Sequence, residues 1–129
     1  MRILIMANNV QELGGAQRVV HLLAQGLGSR GHDVAIIGVV PHESPYVYES
    51  RPAYRTVTLL DDPYPKDASA RLAHEMVATE RLQRLLDDGP PGIVITAQLW
   101  AMEHLNRCRL ADWAVIGQYH SSFEAAQAG

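Results

Sequence analysis

A single cysteine, Cys108, excludes an internal disulfide. One thiol suits a reducing compartment, so the cytoplasm is the expected location. Long apolar runs are also missing: hydrophobic residues make up 47% of the chain but fall in short stretches, well under the roughly 18 residues of a membrane span. The N-terminal segment does not read as a signal peptide, because Asn8 and Asn9 interrupt its short apolar run at once. There is no basic tract. Eleven Lys and Arg stand against 14 Asp and Glu, a net charge of −3, and no aromatics interleave with the cations, which argues against a nucleic-acid partner. No His or carboxylate cluster has metal-ligand spacing, and no metal is expected. The dinucleotide fingerprint GxGxxG and the lysine-containing phosphate loop GxxxxGK[ST] are both absent.

What is present is an alternation of strands and helices. At 129 residues the chain fits one domain, 1–129, able to bury on the order of two thirds of its unfolded surface. Ile3 to Ala7 reads as a buried strand, and a polar loop Asn8 to Leu13 follows. Gly14 and Gly15 then open a helix to about Ser29, with Ala16, Val19, Val20, Leu23 and Leu27 forming one stripe that faces a sheet. Gly31 is its left-handed stop. Val34 to Val40 is the near-continuous apolar pattern of a parallel strand covered on both faces.

Pro41 to Ala53, with three prolines, reads as a long loop at the ligand face. Tyr54 to Leu60 supplies a third strand. Lys66 to Leu86 is a helix with Asp67/Arg71 and Glu80/Arg84 spaced to pair. Ile93 to Ala97, Leu99 to Cys108 and Trp113 to Gly117 complete a strand, a short helix and a fifth strand, and Ser121 with Glu124 has capping-box spacing for a last helix. The pattern predicts a doubly wound, mainly parallel, Rossmann-like α/β sheet of order 3-2-1-4-5.

Such sheets bind ligands beyond the carboxyl ends of the strands, where strand order reverses. That edge gathers Asn8, Asn9, Gln98 and the segment Gln118-Tyr119-His120. Gly14 and Gly15 at a helix start form an anion site with unpaired N–H groups, a positive dipole end and no side chains in the way, for which a diphosphate is the natural guest. The alternative is a tight turn that needs glycine for its own sake. Arg18, one turn in, can reach an anion or stand solvated on the polar face. Asn8, Asn9 and Gln98 suit a hydroxylated ligand, or else ordinary turn chemistry. His21 reads as a solvated or edge residue, His32 as part of a turn, and His42, His74 and His104 as dispersed. Cys108 has no paired base and reads as structural. Asp61-Asp62 does not make a phosphoacceptor site, since Asn8-Asn9 stands where an acidic pocket would be needed.

Residues Arg2 to Val39, with the run GGAQRVVHLLAQGLGSRGHDVAIIGV, resemble the opening of the retaining GT-B glycosyltransferases. There a strand and loop end in a Gly-Gly pair, followed by an amphipathic helix and a Gly-His-Asp/Glu-Val segment, here Gly31-His32-Asp33-Val34. The likeness is carried by the first third of the chain. It implies an acceptor-binding N-terminal domain of a hexosyltransferase-type enzyme, with a nucleotide diphospho-sugar as donor substrate, no further cofactor, and an acceptor hydroxyl as the recipient. Gly14 and Gly15 would approach the donor diphosphate, and His120 would contact the transferring sugar or acceptor as the catalytic-site histidine. The resemblance also implies a second, C-terminal donor-binding domain that is not in these 129 residues, so the chain alone is expected to be inactive. Where the family commonly has Glu, this chain has Gln17, a neutral amide in the substrate-binding set with Asn8, Arg18 and Gln98. Self-association through surface left uncovered near strand five is a further expectation. Two other classes stand beside this one: a free-standing α/β module binding a small anion or a protein, and a nucleotide-sugar-modifying enzyme such as an epimerase.

Overall fold

The computed structural model describes residues 1–11, 14–42, 46–62, 67–96 and 98–117. Its elements are β1 (Arg2–Ala7), α1 (Gly15–Ser29), β2 (Asp33–Gly38), β3 (Arg55–Thr58), α2 (Ala68–Asp87), β4 (Ile93–Thr96), α3 (Leu99–Asn106) and β5 (Ala114–Gly117). The five strands form one all-parallel sheet of order β3-β2-β1-β4-β5. This is the Rossmann-like α/β fold read from the alternation.

Parallel strands need both faces covered, and strict alternation within β1 shows how that is done. Ile3 and Ile5 point into a core shared with Val20 and Ala24 of α1, Val34, Ile36 and Tyr54. Leu4 and Met6 point the other way, into a second core with Ala78, Leu82 and Leu86 of α2 and with Ala101 and Leu105 of α3. β1 is the central strand, with Ile5 in register with Ile36 of β2 and Ile95 of β4. β5 forms one edge, where Val115 and Ile116 are each 46% exposed.

The ends of the helices follow local chemistry. α1 stops at Gly31, whose φ of +92° is the left-handed conformation expected of it. The Gly31 N–H reaches Gly28 O at 3.0 Å and the His32 N–H reaches Leu27 O at 3.3 Å, the paired bonds that close a helix end. Asp67 accepts from the Ala70 N–H at 3.0 Å and so caps α2, rather than pairing with Arg71. Glu80 and Arg84 do pair, at 2.6 Å.

The buried face of α1 is turned by one position from the apolar stripe. Gln17, Val20, His21 and Ala24 are buried, while Val19 is 43% exposed. The two polar residues are buried because each finds long-range hydrogen bonds, which a count of apolar spacing does not register. No helix links β2 to β3 among the described residues. The loop between them lies along α1 instead: Gln25 accepts from the Ala53 N–H at 2.8 Å, and the Tyr46 N–H donates to Gln11 O at 2.8 Å. Strand β2 ends at Gly38, short of Val40, because the Val39 and Val40 N–H groups donate to Asn8 O at 3.0 and 3.2 Å and leave the ladder.

Candidate functional site

The carboxyl end of β1 is where the chain leaves to one face through α1, while its neighbour β4 leaves to the other through α3. Between them the sheet edge opens. Asn8 stands at this point with three of its groups engaged. Its carbonyl holds the end of β2, its N–H donates to Gln98 Oε1 at 2.8 Å, and its Oδ1 accepts from the Ala101 N–H at 3.0 Å. Ala101 is the third residue of α3, whose own N-cap residue Gln98 makes no side-chain cap. Asn8 therefore caps α3 from another strand. Asn9 is buried, and its Oδ1 accepts from the Gln11 N–H at 2.7 Å in a local turn.

Gln17 joins the same cluster, its Nε2 donating to Gln98 Oε1 at 3.3 Å. The orientation of both amides follows from the backbone. The Asn8 N–H can only donate, so Gln98 must offer its oxygen there, and Gln17 must then offer its nitrogen to that oxygen. A carboxylate at position 17 has no such hydrogen to give. The neutral residue that departs from the glycosyltransferase pattern is thus matched to Gln98. Three of the residues singled out in the sequence, Asn8, Gln17 and Gln98, come together here.

Gly14 and Gly15 stand next to Gln17. Gly14 is the N-cap of α1 in extended conformation (φ −175°), and among the described glycines only Gly31 and Gly89 have positive φ. Neither Gly14 nor Gly15 has the positive φ that favours glycine. A Cβ at Gly14 would lie 3.0 Å from Gln17 Oε1, and a Cβ at Gly15 would meet nothing within 4 Å. No side chain among the described residues caps α1. The N–H groups of Gly15, Ala16 and Gln17 have no intrahelical carbonyl to reach. Among the described helices this sets α1 apart, since Asp67 caps α2 and Asn8 caps α3.

On the flank of α1 the segment between β2 and β3 brings Tyr46, Tyr48 and Tyr54. The Gly14 N–H donates to the Tyr48 hydroxyl at 3.0 Å. The Tyr48 ring stacks on His21 at 4.3 Å between centroids, and Tyr46 meets Tyr48 edge-on at 4.7 Å. His21, expected at the surface, is 5% exposed. Its Nε2 lies 2.8 Å from Val10 O, which can only accept, so Nε2 carries the proton and Nδ1 accepts from the Tyr54 hydroxyl at 2.5 Å. Burial favours this neutral ring and lowers its pKa, against opposing contributions from the Val10 bond and from Glu49. Burial, and then the Glu49 charge, push the Tyr54 phenol up to about 12. A lone buried histidine at a helical spacing carries no sequence signal that separates it from an exposed one.

Arg18 is exposed in the first turn of α1. It borders a cavity of about 200 Å³ with His21, Leu22, Tyr46, Tyr48 and Glu49, outside the cluster of amides. Larger hollows, of about 900 and 580 Å³, lie along α2. His120 and the Ser121 and Glu124 capping pair lie outside the described residues. Among the described residues no three His, Cys, Asp or Glu side chains converge to hold a metal, and no helix is long and apolar enough to cross a membrane. Cys108 is half-buried. Its thiol donates towards His104 O at 3.6 Å and Thr79 O at 3.7 Å, and burial raises its pKa. It is held as a thiol, not as a nucleophile.

Among the described residues the edge thus offers a helix N-terminus without a side-chain cap beside a hydrogen-bonded cluster of amides, an arrangement chemically suited to an anion. The profile of the family described as Glycosyltransferase Family 4 matches residues 13–128, which begins just ahead of the glycine pair and runs through β5. No curated protein matches the chain.

Proposed function

We propose a function from one premise: the chain belongs to Glycosyltransferase Family 4. On this reading it contributes the acceptor-binding part of an enzyme that moves a sugar, with retention, from a nucleotide diphospho-sugar to an acceptor hydroxyl. Gly14 and Gly15 admit the donor diphosphate to the start of α1, where the outward N–H groups and the positive end of the helix offset the charge that builds on the departing diphosphate. Asn8, Gln17 and Gln98 form the wall that keeps this approach in shape. Arg18 adds positive charge at its flank. His120 contacts the transferring sugar or the acceptor. The rest of the donor is held by a second domain across the cleft, and the 129 residues alone do not transfer sugar, because one wall cannot close on a substrate.

The observation that carries this reading is the uncapped start of α1. Each of the other two described helices has a side chain on one of its first free N–H groups, worth about 1 kcal/mol apiece. α1 forgoes that stabilisation and puts two glycines there without any backbone conformation that requires them. A ligand anion supplies what the missing cap does not.

The test is an amide-resolved NMR titration of the 129-residue chain with uridine diphosphate and, separately, with inorganic pyrophosphate. Weak, saturable shifts centred on Gly15, Ala16 and Gln17 are expected, with no sugar transfer from a nucleotide sugar. Shifts that leave these three amides untouched overturn the assignment of the glycine pair. Tight nucleotide-sugar binding or transfer by the chain alone overturns the division between two domains.

A further inference from the structure

The cavity beside α1 has a composition the diphosphate reading does not use. It is lined by Tyr46, Tyr48, His21 and Leu22, together with Arg18 and Glu49. Opposite charges that border one small space would ordinarily pair. Among the described residues Arg18 and Glu49 form no ion pair, with each other or with anything else, although four other pairs do form. The Tyr48 hydroxyl is bonded to Gly14, and Tyr48 lines the cavity. Tyr46 is 44% exposed, a large aromatic ring left at the rim.

From this set we infer that the cavity takes one polyhydroxylated ring of the pyranose type, as the end of the acceptor that receives the sugar; the inference rests on the glycosyltransferase reading above. Each part of the chemistry fits that guest. A pyranose has a face of C–H bonds that packs on an aromatic ring, and neighbouring hydroxyls that donate to a carboxylate while accepting from a guanidinium. A planar guanidinium and a carboxylate on two sides of one ring can serve both polarities at once, which a simple anion site would not need. The volume of about 200 Å³ is below the range of roughly 300 Å³ and above that holds drug-sized ligands, so it admits one ring and not a chain of them. The position is also suitable. Tyr48 lines the cavity and bonds to Gly14, so the guest would lie against the same loop that the donor approaches.

The experiment is saturation-transfer NMR on the 129-residue chain with methyl α-D-glucopyranoside, with inorganic phosphate as competitor, repeated on Tyr46→Ala and Glu49→Gln. Saturation of the ring protons is expected with wild type, undiminished by phosphate, and a loss of affinity of about fivefold or more in each variant, or ~1 kcal/mol. Circular dichroism checks that each variant is folded. Should Tyr46→Ala be unfolded, Glu49→Gln decides, since it keeps the size and shape of the side chain. No transfer to the glycoside, transfer abolished by phosphate, or equal transfer in wild type and a folded variant overturns the inference. The measurement uses no nucleotide, so failure here leaves the diphosphate titration unaffected, and the reverse holds too.

Discussion

Gln17→Glu is the substitution that would restore the residue type seen in the family pattern, and here it is expected to harm the protein. At neutral pH a carboxylate at position 17 sets an acceptor against Gln98 Oε1, where Gln17 now donates at 3.3 Å. Gln98 cannot turn its amide over to help, because the same oxygen holds the Asn8 N–H at 2.8 Å. Nor can water take up the charge cheaply, since Gln17 is only 5% exposed. A lost hydrogen bond of about 1 kcal/mol and a buried, mispaired acceptor of about 1–3 kcal/mol give a penalty of roughly 2–4 kcal/mol. The protonated acid is different, because its O–H can donate to Gln98 as the amide did. The folded state therefore raises the pKa of the introduced carboxyl above the unfolded glutamate value of about 4.3. A carboxyl whose folded pKa is raised carries stability that is complete below the unfolded pKa and lost as pH rises through the folded one. The deficit should be small near pH 4 and full at neutral pH. Urea unfolding followed by circular dichroism at about pH 4.5 and about pH 7.5 reads this directly: with a slope of about 2 kcal/mol per molar, a deficit of ~3 kcal/mol lowers the midpoint by about 1.5 M. A variant that matches wild type at the higher pH, or that is equally weakened at both pH values, refutes the amide orientation derived for this cluster.

Gly15→Ala should separate stability from binding. Alanine at an exposed helical position with open space around its Cβ regains up to about 1 kcal/mol, seen as a thermal midpoint higher by about 2–4 °C, while affinity for uridine diphosphate falls about tenfold, or ~1.4 kcal/mol; unchanged affinity removes the glycine pair from the site. The His21–Tyr54 pair should be visible in both limbs of the stability profile. Tyr54 keeps its proton to about 12, so its contribution is complete below the unfolded pKa of about 10 and is lost as pH rises through the folded one, and an ultraviolet titration should show a late phenol step that disappears in Tyr54→Phe. His21 has a lowered pKa, so the unfolded chain takes up the proton first and stability declines as pH falls below about 6.5; an equal slope in His21→Phe would show that another group causes it.

The sheet is legible in the sequence because its determinants are local. Ile3 to Ala7 and Val34 to Val39 are apolar on successive residues, the pattern of a strand buried on both faces, and the helices that follow β1, β3 and β4 favour parallel strands, as in the observed order β3-β2-β1-β4-β5. The site is legible only in part, because its bonds run between residues far apart in the chain. Gln17 meets Gln98 across 81 positions, and His21 meets Tyr54 across 33. A count of apolar spacing leaves both polar residues out of the buried face, which sets the stripe of α1 one position off. The caps make the same point more sharply. Asp67 announces the start of α2 by its own side chain, so that cap can be read directly. α1 and α3 both look uncapped in the sequence, and nothing local tells them apart. The distinction comes from Asn8, 93 residues away from the amide it serves. Once Asn8 is seen to complete α3, the bare N-terminus behind Gly14 is no longer one of two ordinary helix starts. It is the described helix whose first N–H groups no described side chain caps.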